Sequence, residues 1–172
     1  NYSDFIFSTA LWSNFGNFSP GTEINFANIS DAGFTQLSGW LTLYPLSNAN
    51  LYFTPRIYFK TDSEGKIAYN VFGFSGGAKL GPVHFYGQYL NGDMKNFVES
   101  TGYVIANFPG KSNRKISGSL YFPLAKKYQL VVRYMNQDVI ENYQVYTSGT
   151  PSSILEYKFI KHTLTGGLTW NF

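Results

Sequence analysis

Alternation of period two runs through almost the whole of this 172-residue chain, and it is clearest at the last stretch, LTGGLTWNF. Leu164, Gly166, Leu168, Trp170 and Phe172 fall on one side. Thr165, Gly167, Thr169 and Asn171 fall on the other. Successive side chains of a strand point to opposite faces, so this is a strand with one apolar, aromatic-ended face and one small polar face. No stretch has a convincing helical period. None approaches the roughly 18 consecutive apolar residues that a membrane helix needs. The chain is therefore expected to be all-β, a single domain over 1–172.

Composition adds a second constraint. Phe, Tyr and Trp make up 19% of the chain and charged residues only 13%, yet the mean hydropathy is −0.17. A transmembrane β-barrel reconciles these values: alternate residues alone face lipid, while aromatics gather at both membrane interfaces. A soluble surface carries about a quarter charged residues by average usage. Cysteine is absent, so neither a disulfide framework nor a thiolate metal site is available. The net charge of +3 comes from Lys and Arg spread without a cluster, which gives no sign of a nucleic-acid partner. Asn1 is not an initiator Met and no signal peptide is seen, as expected for a processed, exported form or one without its signal.

The alternating segments predict strands at about 2–13, 21–29, 33–44, 50–60, 66–79, 82–91, 96–107, 114–123, 127–147 and 154–172. This makes an antiparallel up-and-down barrel of about 10 strands, with 8 or 12 as the alternatives. Pro20, Pro45, Pro82, Pro109, Pro123 and Pro151 fall in the connections, accompanied by Gly, Asn, Asp and Ser. Pro55 interrupts the strand Leu51–Tyr58, so a bulge is expected there. Leu43-Tyr44-Pro45-Leu46 and Tyr121-Phe122-Pro123-Leu124 are alike and would sit more comfortably at one end of the barrel.

Alternation also assigns faces. Toward lipid it places Leu37, Leu41, Leu43, Leu51, Phe53, Ile57, Phe59, Phe72, Phe74, Leu80, Val83, Phe85, Tyr89, Val104, Phe108, Ile116, Leu120, Phe122, Leu130, Val132 and Tyr134. Toward the interior it places Gln36, Ser38, Thr42, Thr54, Tyr58, Ser75, His84, Tyr86, Gln88, Thr101, Tyr103, Ser117, Ser119, Tyr121, Gln129, Thr163 and Thr165. The interior charges are Arg56, Lys60, Lys79, Glu99, Lys115, Arg133 and Lys161. A soluble ligand-binding barrel would reverse this pattern. Gly76, Gly87, Gly102, Gly118 and Gly166 all fall on the lipid register, where bends, room for a Tyr ring, or a flat patch for a partner barrel or lipid chain are the readings.

The ending resembles the C-terminal signal of bacterial, Gram-negative outer-membrane β-barrels: a terminal Phe172, Trp170 two before it, and Leu168, Gly166 and Leu164 alternating upstream. The resemblance implies residence in the bacterial outer membrane, recognition of these residues by the barrel assembly machinery, and a periplasmic C-terminus. With ten strands both termini share that side. The outer connections are then 14–20, 45–49, 81–82, 108–113 and 148–153, and the inner ones 30–32, 61–65, 92–95 and 123–126. The last hairpin is about twice the 9–11 residues per arm that a membrane strand needs, so it is expected to project.

Catalytic chemistry finds little support. Lipid-hydrolysing barrels need a Ser nucleophile and a His base facing lipid. His84 points inward, and His162, though on the lipid side, has no Ser two residues away. The acids Asp138, Glu141 and Glu156 offer no Asp-Asp pair or adjacent Asp-His. Asp62, Glu64 and Asp93 are turn acids rather than a metal cluster. The Gly73–Ala78 stretch lacks the ending of a phosphate loop.

No catalytic residue, metal or cofactor is therefore expected. The expected role is a non-enzymatic structural or accessory barrel, in contact with outer-membrane lipid and with other outer-membrane proteins in a larger complex. The alternative is a narrow channel for small, anionic solutes, because the interior charge is mostly basic. A lipid-modifying enzyme is the third reading.

Overall fold

The computed structural model describes residues 4–29, 32–61, 67–99, 104–106, 111–147 and 150–170. Eleven strands follow in order: β1 Phe5–Trp12, β2 Phe18–Ile29, β3 Ala32–Leu43, β4 Leu51–Thr61, β5 Ile67–Leu80, β6 Val83–Gly92, β7 Phe97–Glu99, β8 Val104–Ala106, β9 Arg114–Ala125, β10 Tyr128–Thr147 and β11 Thr150–Trp170. Nine of them form one antiparallel meander, β1-β2-β3-β4-β5-β6-β9-β10-β11, while β7 and β8 pair only with each other. The all-β, up-and-down architecture is as the alternation predicts, and it is compatible with a barrel. Among the described residues β1 pairs with β2 alone and β11 with β10 alone.

The expected wall strand at 96–107 is the main correction. β6 bonds directly to β9, with Phe85↔Leu120 and Gly87↔Gly118 opposite each other. The chain between them leaves the wall and returns through a closed neck. Gly92 N–H donates to Asn113 O at 2.9 Å, and Met94 N–H donates to Ser112 O at 2.9 Å. Lys111 Nζ lies 3.0 Å from Asp93 Oδ2 beside them. Gly92 has φ +135°, and a Cβ there would lie 2.3 Å from Asn70 O, so only glycine makes this exit.

Removing one strand from the wall reverses part of the expected sidedness. The connections at 13–17, 44–50, 81–82 and 126–127 all lie at the end where β11 finishes, here the turn end. Those leaving Ile29, Thr61, Gly92 and Thr147 lie at the other, the loop end. Hence 14–20, 45–49 and 81–82 share an end with 123–126 instead of opposing it. The two similar Pro-Leu segments accordingly sit at one end.

Pro55 makes no bulge. It stays in register with Phe74 on β5. On the β3 side the ladder runs to Trp40↔Arg56, lapses, and resumes at Leu43↔Phe53 without a shift. The missing N–H opens a local gap that the Thr42 and Thr54 hydroxyls, 2.9 Å apart, bridge. The register shifts lie elsewhere, at Lys60/Thr61, Tyr128/Gln129 and Val145/Tyr146. Pro20, Pro123 and Pro151 sit inside the ends of β2, β9 and β11 rather than in the connections. Pro109, with Thr101, Tyr103 and Phe108, lies outside the described residues.

Alternation holds in the wall. Phe7, Leu37, Phe72, Phe74, Leu164 and Leu168 are exposed on one face, while Asn25, Gln36, Ser38, Tyr58 and Val71 are buried on the other. From the stacked pair Tyr128–Trp170 toward the loop end, the exposed face of the described wall carries no Asp, Glu, Lys or Arg until Arg114 and Asp138, which pair at 2.9 Å. Asn28, Asn70 and Asn91 face the same way near the loop end. Tyr128 to Asp138 is about 34 Å along a strand at ~3.4 Å per residue, or about 25 Å high at a tilt of roughly 40°. Pairing of β10 with β9 stops at Gln137↔Lys115. Beyond the single bridge Lys111↔Ile140, β10 and β11 run on as a two-stranded ribbon, as expected for the projecting hairpin.

Candidate functional site: the occupied concave face

The polar face of the wall holds the β7–β8 hairpin. Val98 is fully buried in a cluster with Ala27, Ile29 and Phe34, with Ile6 of β1 packed against it. Phe97 joins Tyr58, Val71, Leu90 and Met94, its ring edge-on to Tyr58 at 4.7 Å between centroids. Glu99, the residue after Val98, accepts a hydrogen bond from Lys115 Nζ of β9 at 2.7 Å. From β2 to β9 is five strand steps, about 24 Å across a flat sheet at ~4.8 Å each. Neighbouring residues of one hairpin reach both because the sheet curls around it.

The hairpin is held by polar contacts as well as by burial. Gln36 of β3 uses its whole amide: Nε2 donates to Val98 O at 2.7 Å, and Oε1 accepts from Val98 N–H at 3.1 Å. Both backbone groups of Val98 are thereby satisfied by a side chain that is itself fully buried. Lys60 Nζ donates to Lys95 O at 2.8 Å and lies over the Phe34 ring. Each bond ties a different wall strand to the 93–99 stretch, which with β8 is here termed the plug.

Six of the seven expected interior charges lie on the concave register of the wall and Glu99 lies on β7, and the seven divide into two groups. Arg56 stacks over Trp40 at 4.2 Å and faces the buried Glu23 carboxylate at 3.7 Å. Trp40 can lie there because position 21 is glycine; a Cβ would meet its ring at 2.2 Å. Lys60, Glu99 and Lys115 are engaged with the plug as described. Lys79, Arg133 and Lys161 are exposed and have no ion-pair partner among the described residues. Glu99, expected on a wall strand, instead lies on β7, outside the wall, where it meets Lys115.

Space remains around the plug. Below it, toward the turn end, a cavity of about 350 Å³ is lined by Tyr52, Lys79, His84, Tyr86, Tyr121 and Gln129. A smaller one of about 110 Å³ lies between Arg56, Tyr58, Tyr86 and Gln88. A third, about 250 Å³, opens between β9, β10 and β11 at Ser117, Arg133, Thr163 and Thr165.

Among the remaining sequence candidates, His162 is exposed on the outer face with Nδ1 2.8 Å from the Tyr134 hydroxyl. Asp138 faces Arg114, Glu141 accepts from the Tyr143 hydroxyl, and Glu156 pairs with Lys158 at 2.7 Å. Asp138 and Glu141 are three residues apart on one strand and so point to opposite faces. No group of three or more His, Asp or Glu among the described residues could hold a metal ion. The Phe85 ring lies 3.3 Å from a Cβ built on Gly87 and 3.9 Å from one on Gly118, filling much of the outer glycine patch. Of the residues expected to form an assembly signal, Leu164, Gly166, Leu168 and Trp170 share one face of β11, and Phe172 lies outside the described residues.

Glu23, Trp40, Met94, Phe97 and Val98 were not marked by alternation alone. The available signal was the apolar run on the inward register near the loop end: Ala27, Ile29, Phe34, Val71 and Leu90. A water-filled interior has no use for these residues, whereas a socket does.

No family model matches the chain, and neither curated proteins nor solved structures give a match.

Proposed function

We propose that this chain forms the wall and plug of a β-barrel in a Gram-negative-type bacterial outer membrane, with a non-enzymatic structural or accessory role in a larger outer-membrane assembly. The observation that carries the reading is the pairing of an uncharged, aromatic-bordered outer face about 25 Å high with a polar inner face occupied by the chain's own hairpin. In water that outer face would be an apolar patch far above the few hundred Å² usual for a monomer. The resemblance of Leu164–Phe172 to an assembly signal supports the same membrane, contact with its lipid, and handling by the barrel assembly machinery. With the C-terminus periplasmic, the plug enters from outside.

A second reading, a narrow anion-preferring channel, is favoured by Lys79, Arg133 and Lys161, which face the interior without an ion-pair partner among the described residues. Planar-bilayer recording separates the two. The intact protein is expected to be silent, and replacing 94–111 by a short Gly-Ser turn, which the Gly92–Asn113 neck permits, should open an anion-preferring conductance. Anion-selective conductance by the intact protein would establish the channel reading instead. Monodisperse behaviour without detergent would refute the membrane reading altogether.

A further inference from the structure

We propose that the gap between β1 and β11 is a strand-accepting seam. Its occupant is one extended strand not contained in residues 4–170, or an odd-numbered set of such strands, running antiparallel to both edges. The inference rests on the membrane reading, and direction carries it. Neighbours in an antiparallel meander alternate in direction, so its first and ninth members run the same way. Both β1 and β11 run from the loop end to the turn end. An odd number of strands between them gives antiparallel ladders on both sides.

In a bilayer these edges cannot stay empty, because each unsatisfied backbone N–H or C=O in hydrocarbon costs several kcal/mol. A second copy does not fit. Sharing the membrane, it shares the orientation, and its edges run the same way as those they would meet. The occupant therefore runs from the turn end to the loop end.

The edges also specify its side chains. Outward, β1 shows Phe5, Phe7 and Leu11, and β11 shows Leu164, Leu168 and Trp170, all more than half exposed. The occupant is apolar on that side. Inward, β1 offers Ile6, Ser8 and Ala10, which carry no charge. Next to the β11 edge stand Lys161 and, opposite Thr165, Arg133, both exposed and without ion-pair partners among the described residues. The inward side of the occupant carries a carboxylate at their level.

Thiol cross-linking tests this cleanly, since the chain has no cysteine. The probe is a synthetic twelve-residue peptide, leucine on alternate positions and threonine between, with one central glutamate and one cysteine. The full chain, folded in detergent, is prepared as Phe7→Cys, as Leu164→Cys and as a panel pairing Cys at Phe5, Phe7 or Thr9 with Cys at His162, Leu164 or Gly166. Each single variant is expected to capture the peptide, Lys161→Glu should reduce capture at Leu164→Cys about tenfold, and the double variants should not form an internal disulfide. An internal β1–β11 disulfide means direct parallel closure and overturns the proposal, as does failure to capture the peptide. A β1–β11 disulfide between two chains overturns it in favour of a second copy. Leu164→Cys homodimers would mean that two copies meet edge to edge at β11, and would overturn the proposal in favour of a second copy. Solubility without detergent together with peptide capture would reject the membrane and keep the seam.

Discussion

The concave faces of β2–β6 and of β10–β11 follow the same alternation but have opposite fates. On β2–β6, Gln36, Ser38 and Asn25 are fully buried, and Arg56 and Lys60 each have a defined partner. On β10–β11, Arg133 and Lys161 are exposed and unpartnered among the described residues, and Thr163 and Thr165 line an open hollow. The difference is the plug, which leans on one side of the curl. A polar inward face is therefore no statement of wetness. Burial is decided by what a distant segment of the chain does.

The comparison can be broken most forcefully at Val98. Val98→Asp places an unpaired carboxylate in a fully apolar cluster, and destabilisation by about 3–5 kcal/mol is expected from denaturant unfolding in lipid vesicles. The matched change Thr165→Asp, on the open side near Arg133, should stay within about 0.5 kcal/mol. Equal effects would mean that the plug does not occupy its socket.

The outer face gives the next largest effect. Leu120→Arg should cost about 2–4 kcal/mol, as for a charge at the lipid midplane, and clearly more than Ser119→Arg on the same strand. Val132→Arg against Arg133→Ser repeats the test on β10. If Ser119→Arg is worse while Val132→Arg is costly, the interior beside β9 is closely packed. If Val132→Arg is mild, the outer register is wrong.

The smallest effect is the sharpest on function. Arg133→Ser and Lys161→Ser should each change stability by less than about 0.5 kcal/mol. In the plug-deleted protein the pair should lower the anion preference of the conductance. Unchanged selectivity would remove these cations from the conducting path.

Alternation made the wall legible, because each wall strand has one lipid-type and one polar face over many residues. Phe53, Phe72 and Leu120 lie on the outer register that alternation assigns to them. The plug was not legible, because a short alternating hairpin reads alike in a wall or inside it. Its defining contacts, Gln36 with Val98 and Gly92 with Asn113, join residues far apart and leave no local mark. Two signals pointed the right way: the matching Pro-Leu segments would sit more comfortably at one end, which needs an even number of wall strands between them, and Ile29, Phe34, Val71 and Leu90 were too apolar for an open lumen. Of the interior charges, the concave register of the six on the wall followed from parity, while Glu99 lies on β7. Which would be paired did not follow, since Glu23 lies two strands from Arg56 and the stacking of Arg56 on its cross-strand neighbour Trp40 depends on the space left at Gly21.

The Gln36–Val98 bond spans 62 residues of chain, whereas most wall pairs join hairpins closed by short turns. Loop-closure entropy and the need for a finished socket then impose an order of events. The hairpins zip first, β9 meets β6 across the unfilled neck, and the plug docks last. For that interval the nascent wall encloses water against Ile29, Phe34, Val71 and Leu90, and expelling it supplies the closing step. Pulse-labelled refolding should show the Val98 amide gaining protection after those of β2 and β3; protection in the opposite order would mean that the wall assembles around a preformed plug.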